Sequence, residues 1–241
     1  MMRILLLGHG RMGQLVASLA PSYGATIAGI IDERSGEHAI AGGNFGHVDV
    51  AIDFTLAEAV VQNLPQLAAR QISVVIGTTG WHAHEAAMRE VAATAGIGVL
   101  AASNFAIGMN VFQLAVEEAS RHFAKHAEFG AWIHESHHVM KKDAPSGTAL
   151  TLKAGMAGAG FVRAIDVSST RVGAVPGTHT VGFDGPSETI ELTHTVRDRA
   201  VFARGALTAA AWLVGKQGWF SIRDMLIESG RASGVGSRES K

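Results

Sequence analysis

Residues 3 to 13 read R-I-L-L-L-G-H-G-R-M-G, and this stretch decides the fold. Arg3 to Leu7 is an apolar run of the kind a parallel strand shows when it is buried on both faces. Gly8-His9-Gly10-Arg11-Met12-Gly13 follows at once, and Gln14 to Ala20 continues as an apolar helical segment that Pro21 stops. G-x-G-x-x-G between a strand and a helix has a physical reading. Gly8 permits the tight turn, Gly10 lets a pyrophosphate approach the backbone, and Gly13 brings helix against strand. The next apolar run, Ala25 to Ile31, ends on Asp32, where an acidic side chain meets adenosine ribose hydroxyls. A glycine-rich packing turn that binds nothing is the plainer reading, but strand, motif, helix, strand and terminal acid together favour a dinucleotide site. Asp32 repels a 2′-phosphate and Glu33 adds to that, with Arg34 compensating in part, so NADH should serve at least as well as NADPH.

The alternation continues outward from this unit. Val48 to Phe54 reads as a strand, Leu56 to Arg70 as a helix interrupted or kinked by Pro65, Ile72 to Ile76 as a strand, Glu85 to Thr94 as a helix and Gly98 to Ala102 as a strand. Gly36 to Asp49 leaves little room for a helix. Strands alternating with helices build a doubly wound parallel α/β sheet, whose ligands lie outside the carboxyl ends of the strands. Gly77, Thr78 and Thr79, and Ala102, Ser103, Asn104 and Phe105, follow two such ends and are expected along the cofactor.

After Asn110 the pattern changes. Val111 to Lys125 reads as an amphipathic helix, Ala127 to Glu135 as a strand and Thr148 to Met156 as a helix, followed by strands at Ile165 to Arg171, Thr178 to Phe183 and Thr189 to Val196. Asp184-Gly185-Pro186-Ser187 turns the last two into an antiparallel hairpin. A second α+β domain with a mixed or antiparallel sheet is therefore expected over 106–216. The segment 217–228 should pack back on the dinucleotide domain (1–105), and 229–241, with almost nothing to bury, should be disordered.

The densest chemistry lies in Glu135 to Leu150, E-S-H-H-V-M-K-K-D-A-P-S-G-T-A-L. A turn at Pro145 to Gly147 followed by a helix start presents unpaired N–H groups and a positive dipole end, which suits a carboxylate. Lys141 or Lys142 adds charge, and the imidazoles of His137 and His138 stand beside it. Read blandly, the segment is a solvated loop with a helix cap.

Composition narrows the classes. The chain has 241 residues, 20 Lys plus Arg against 21 Asp plus Glu, and no cysteine. Near-zero net charge argues against nucleic acid or membrane partners, and the lack of cysteine excludes thiolate zinc, disulfides and cysteine nucleophiles. A cytoplasmic protein with a small-molecule ligand fits. Glu118, His122 and His126 have i, i+4, i+8 spacing, but this reads as an exposed helix face, and no metal is expected.

These residues together resemble the 4-hydroxy-tetrahydrodipicolinate reductase (dihydrodipicolinate reductase) family. The resemblance runs through G-H-G-R-M-G at 8–13, D-V-A-I-D-F-T at 49–55, G-T-T-G at 77–80, S-N-F-A-I-G-M-N at 103–110, the stretch 135–149, and E-L-T-H and F-A-R-G-A within 191–206. It implies a Rossmann domain, a substrate domain that also builds a homotetramer, and reduction of a cyclic imine dicarboxylate by NAD(P)H in lysine and diaminopimelate biosynthesis. By resemblance His137 and Lys141 are the catalytic pair, Lys141 giving the proton. His138 contacts substrate, and Gly147 and Thr148, beside Ser146, grip a carboxylate. Glu33 departs from the basic residue frequent at that position, which unsettles a preference for NADPH. Two rivals stay in view: another imine or oxo-acid reductase on the same scaffold, and a dinucleotide sensor without catalysis. Neither accounts for H-H-x-x-K before D-A-P-S-G-T.

Overall fold

The computed structural model describes residues 1–36 and 39–234, except the side chains of 231–234. The chain divides into two compact units, Met1–Ala106 together with Ala200 onward, and Ile107–Arg199.

The first unit is organised by β1 (Met2–Leu7), whose Ile4, Leu5, Leu6 and Leu7 are all fully buried. No polar side chain interrupts the run because both faces are covered. α1 (Arg11–Leu19) leaves the glycine turn and ends in a 3-10 turn, Ala20–Tyr23, that accepts Pro21 at its start. β2 (Ala25–Ile31), the single-turn α2 (Ala39–Gly42), β3 (Val50–Asp53), α3 (Ala57–Ala69), β4 (Val74–Ile76), α4 (Glu85–Ala95) and β5 (Gly98–Ala101) follow. Every pairing in this sheet is parallel. Leu5 and Leu7 share a core with Val60, Leu64 and Leu67 of α3 and Met88 and Ala92 of α4. α1 packs against the later helix Ala200–Leu213.

The second unit holds α5 (Ile107–Phe123), β6 (Gly130–His137), α6 (Gly147–Gly158), β7 (Ile165–Arg171), β8 (Thr178–Asp184) and β9 (Thr189–Thr195). Its four strands run β7-β6-β8-β9. β6 and β7 are parallel, joined through α6, and the other two pairings are antiparallel. Ile133, Val181 and Phe183 point inward beneath α5 and α6, all fully buried. The opposite face is polar, with hydroxyl pairs Thr178–Thr195 and Thr180–Thr193 at 3.0 Å.

The structure corrects three expectations and adds one strand. α7 (Ala200–Leu213) belongs to the first unit, not to a second domain reaching 216. It packs against β3, β4 and β5, and Gly205 lies so close to the Phe105 carbonyl that a Cβ there would be 1.7 Å from the oxygen. β10 (Gly218–Phe220), too short to announce itself in sequence, extends the parallel sheet beside β5, giving the order β10-β5-β4-β3-β1-β2. α8 (Ile222–Gly234) carries into the tail expected to be disordered from 229, leaving 235–241 outside the described residues. The Gly36 to Asp49 connection does make one helical turn, α2, whose Ile40 is buried. In addition α5 ends at Phe123, so His126 leaves the helical face that Glu118 and His122 share.

Candidate active site

In the first unit the glycine turn sits where β1 gives way to α1. Gly8 has φ +87°, a left-handed value that favours glycine, and a Cβ there would lie 2.5 Å from the Phe54 carbonyl oxygen. A Cβ on Gly13 would lie 2.0 Å from the Gly8 carbonyl oxygen. Gly10, in contrast, has nothing within 4 Å of its Cβ position. Two glycines are thus demanded by packing, while the third faces open space at the N-terminus of α1, the place a pyrophosphate needs.

Gly8 N–H donates to Ile31 O at 2.7 Å, which fastens the turn to the end of β2 and brings Asp32 beside it. Asp32 Oδ1 accepts the Arg34 N–H at 3.0 Å, shaping the loop Asp32–Ser35. A cleft of about 740 Å³ runs between these pieces, lined by Gly8, His9, Gly10, Asp32, Thr55 and Asn63 among others. The donor set, the open Gly10 and the acid at the end of β2 fit a dinucleotide. Arg11 and Met12 lie on α1 outside the residues that line the cleft, and Gly13 lies behind it as packing.

Gly77 to Thr79 and Ala102 to Phe105 follow the carboxyl ends of β4 and β5, on the same sheet edge as Gly8 and Thr55. Thr78 turns inward, its Oγ1 donating to Asp53 Oδ1 at 3.1 Å, and Thr79 is exposed. Asn104 Oδ1 accepts the Ala106 N–H at 2.9 Å, and Phe105 is buried edge-on to Phe54. Asp53, unassigned from sequence, proves to be a hub. Its carboxylate also accepts Thr55 N–H at 2.9 Å and Asn63 Nδ2–H at 3.1 Å. Burial raises its pKa, against hydrogen bonds that favour the ionised form. Asp-Phe-Thr at the end of a strand was the available signal, since a buried acid there needs several donors.

In the second unit the chemistry gathers where β6 ends. Glu135 and His137 fall on one strand face by the two-residue period. Glu135 is fully buried, yet holds its proton less tightly than usual, with a pKa near 2. Burial alone would raise it, but Arg171 Nη1 at 2.8 Å and Nη2 at 2.7 Å, Ser169, His137 Nδ1 and the Ser146 N–H at 3.1 Å hold the anion. Arg171 stands opposite His137 on β7. Its Nη2 also donates to the Asp143 carbonyl, and Asp143 Oδ1 pairs with Lys141 Nζ at 2.8 Å.

Ser146 is the N-cap of α6. Its Oγ accepts the Ala149 N–H at 3.2 Å and meets His179 Nε2 at 3.0 Å, so this buried hydroxyl is engaged on both sides. Gly147 and Thr148 open the helix beyond it, Gly147 exposed and Thr148 half-buried. His179, opposite Glu135 on β8, is pushed down to about 4, first by burial and then by His137, whose ring lies edge-on at 5.2 Å. His138 is half-buried and its carbonyl accepts the Lys141 N–H at 3.1 Å; Lys142 is exposed. Glu135, Arg171 and His179 were not assigned from sequence. Only Glu135 carried a visible sign, its two-residue spacing to His137.

A parallel nucleotide-type sheet with an open glycine turn, and a separate mixed sheet carrying imidazole, ammonium and a helix start, define a two-domain nicotinamide-dependent reductase. Residues 2–105 match the family model for the dihydrodipicolinate reductase N-terminus and residues 108–226 that for its C-terminus. The chain belongs to the dihydrodipicolinate reductase family. It is 35% identical over 236 residues to the 4-hydroxy-tetrahydrodipicolinate reductase of Christiangramia forsetii, covering 93% of this chain and 98% of that one. To the same-named protein of Methanoregula boonei it is 37% identical, with 94% and 98% covered. Among solved structures, a dipicolinate-bound dihydrodipicolinate reductase from Paenisporosarcina sp. TG-14 superposes with a TM-score of 0.78 at 20% identity, over 92% of this chain and 97% of that one, a likeness of fold.

Proposed function

We propose that this chain reduces 4-hydroxy-tetrahydrodipicolinate to tetrahydrodipicolinate with loss of water, the reaction its relatives are named for, in lysine and diaminopimelate biosynthesis. The observation that carries the reading is the β6–α6 connection, where Glu135 orients His137, Asp143 pairs with Lys141 Nζ at 2.8 Å, and α6 opens with Gly147 and Thr148.

Gly8, His9, Gly10 and Asp32 hold the dinucleotide, with Gly13 packing the turn from behind and the backbone of Gly77 to Thr79 and Ala102 to Phe105 beside it on the sheet edge. When bound, the nicotinamide supplies the hydride. The substrate carries two carboxylates, and the N–H groups at the start of α6, through Gly147 and Thr148, suit one of them. Ser146 contributes by capping that helix, and His138 supplies a further polar contact. Negative charge developing on the ring nitrogen needs a proton, which the Lys141 ammonium gives while His137 assists. NADH serves at least as well as NADPH, because the Asp32 carboxylate, which lines the cleft, would repel a 2′-phosphate. The working form is a homotetramer, as the resemblance implies.

The test is nucleotide oxidation with substrate generated from pyruvate and aspartate semialdehyde by the preceding synthase. Wild type should turn over with both nucleotides. Lys141→Ala should lose about 10²-fold or more in kcat with NADH affinity unchanged. Near-normal turnover by Lys141→Ala would remove that lysine from the chemistry, and NADH binding without oxidation would favour a sensor.

A further inference from the structure

We propose that the buried Glu135–Arg171 pair is the positioning element of the second unit: it fixes His137 as an Nδ1–H donor with Nε2 free, and ties the Lys141 turn and the start of α6 to one frame. This rests on the reading of His137 and Lys141 as the reacting pair.

Glu135 offers only acceptors once ionised, and its two oxygens are spoken for. Arg171 takes both in a forked contact, at 2.7 and 2.8 Å. The Ser146 N–H adds 3.1 Å on Oε1, and His137 Nδ1 meets Oε2. An ionised carboxylate facing an imidazole nitrogen requires hydrogen on that nitrogen, so the neutral ring is the Nδ1–H tautomer. The other nitrogen is kept open by an independent feature. A Cβ on residue 177 would lie 2.8 Å from His137 Nε2, and residue 177 is glycine. His179 does not compete for the ring, because its own Nε2 is on Ser146 Oγ.

The guanidinium extends the frame. Besides Glu135 it holds the Asp143 carbonyl, and Asp143 in turn holds Lys141 Nζ. Glu135 also holds the Ser146 N–H, where α6 begins. Imidazole, ammonium and helix start therefore share one ion pair as their common support. Arg171 further balances the carboxylate, so that His137 faces a compensated pair and not a bare anion. Glu135 and Arg171 act through their neighbours and are positioning residues.

Histidine-selective ¹⁵N labelling reads the tautomer directly, with His137→Gln assigning the signal. In wild type, neutral His137 should be Nδ1–H; an Nε2–H ring overturns the proposal without any variant. Glu135→Gln can present an amide N–H to Nδ1, so folded Glu135→Gln should switch the ring to Nε2–H and lose at least tenfold in kcat, with NADH affinity unchanged. An unchanged tautomer and kcat within twofold would overturn it. Arg171→Lys keeps the charge and loses the fork, and should lower kcat about tenfold while unfolding cooperatively; wild-type kcat there overturns the shared frame. Wild-type turnover by His137→Gln would instead sink the functional role of His137, a failure told apart because the tautomer is measured separately from turnover.

Discussion

A Cβ placed on Gly13 would sit 2.0 Å from the carbonyl oxygen of Gly8. Backbone cannot yield there as a side chain can, so Gly13→Ala should cost at least about 3 kcal/mol of stability. Gly10, in the same motif, has nothing within 4 Å of its Cβ position and a φ of −73° that any residue adopts. Gly10→Ala should leave stability within about 0.5 kcal/mol and weaken NADH at least tenfold by filling the space its pyrophosphate needs. Urea melts and NADH titrations of both variants check this. Equal nucleotide affinity in Gly10→Ala would remove the turn from the binding site.

Asp32 sets the nucleotide preference in the same cleft. Its Oδ1 accepts Arg34 N–H at 3.0 Å and lies near Ser35 Oγ at 3.2 Å, so the loop is shaped by the side chain that would meet the ribose. Asp32→Ser removes the charge that repels a 2′-phosphate and leaves Arg34 available to it. The ratio of kcat/KM for NADPH over NADH should rise about tenfold, close to 1.4 kcal/mol. A ratio unmoved by the substitution would place the preference elsewhere.

The fold was legible where the period was strong. Ile4 to Leu7 read as a buried strand because no polar residue interrupts them, Ala25 to Ile31 as an apolar run broken only by Thr26, and the stop at Pro21 and the turn at Asp184 to Ser187 announced their own geometry. What escaped was fixed by tertiary contact. Nothing in Ala200 to Leu213 says which sheet it joins; that is decided by Gly205 fitting against Phe105, far back in the chain. The three-residue β10 has no readable period. In the site, His137 and Lys141 stood out by density of function. Arg171 and His179 did not, because each lies on a different strand of ordinary composition and meets Glu135 only through sheet register.

Stability should fall as the medium is acidified, in two adjoining windows. The folded protein holds His179 near pH 4 against an ordinary 6.5, so the unfolded chain binds the proton more readily and stability present above pH 6.5 is lost towards pH 4. Glu135 lies near 2 against 4.5, and its contribution, full above pH 4.5, is lost on falling towards pH 2. The His179 contribution is on the order of 3 kcal/mol. Burial moves His194 in the same direction as His179. Urea melts at a series of pH values should show the slope, and His179→Asn should flatten it between pH 4 and 6.5. A wild-type stability that is level across that window contradicts the burial of a neutral His179.

Asp53 joins the sheet to the cleft. It is 1% exposed and accepts from Thr55 and Asn63, which line the cleft, and from Thr78 at the end of β4. Asp53→Ala strands these donors in or beside the core, and a buried unsatisfied donor costs about 1–3 kcal/mol. Since Thr55 remains near solvent and Thr78 is buried, the total loss should be about 3 kcal/mol, with NADH affinity down about tenfold as Thr55 and Asn63 lose their orientation. Asp53→Asn keeps the shape but turns one acceptor into a donor facing Asn63 Nδ2 or Thr78 Oγ1, so it should fall between alanine and wild type in both measurements. If Asp53→Ala melts like wild type yet binds NADH poorly, Asp53 touches the nucleotide itself; if neither stability nor NADH affinity changes, the carboxylate is not the hub of this strand edge.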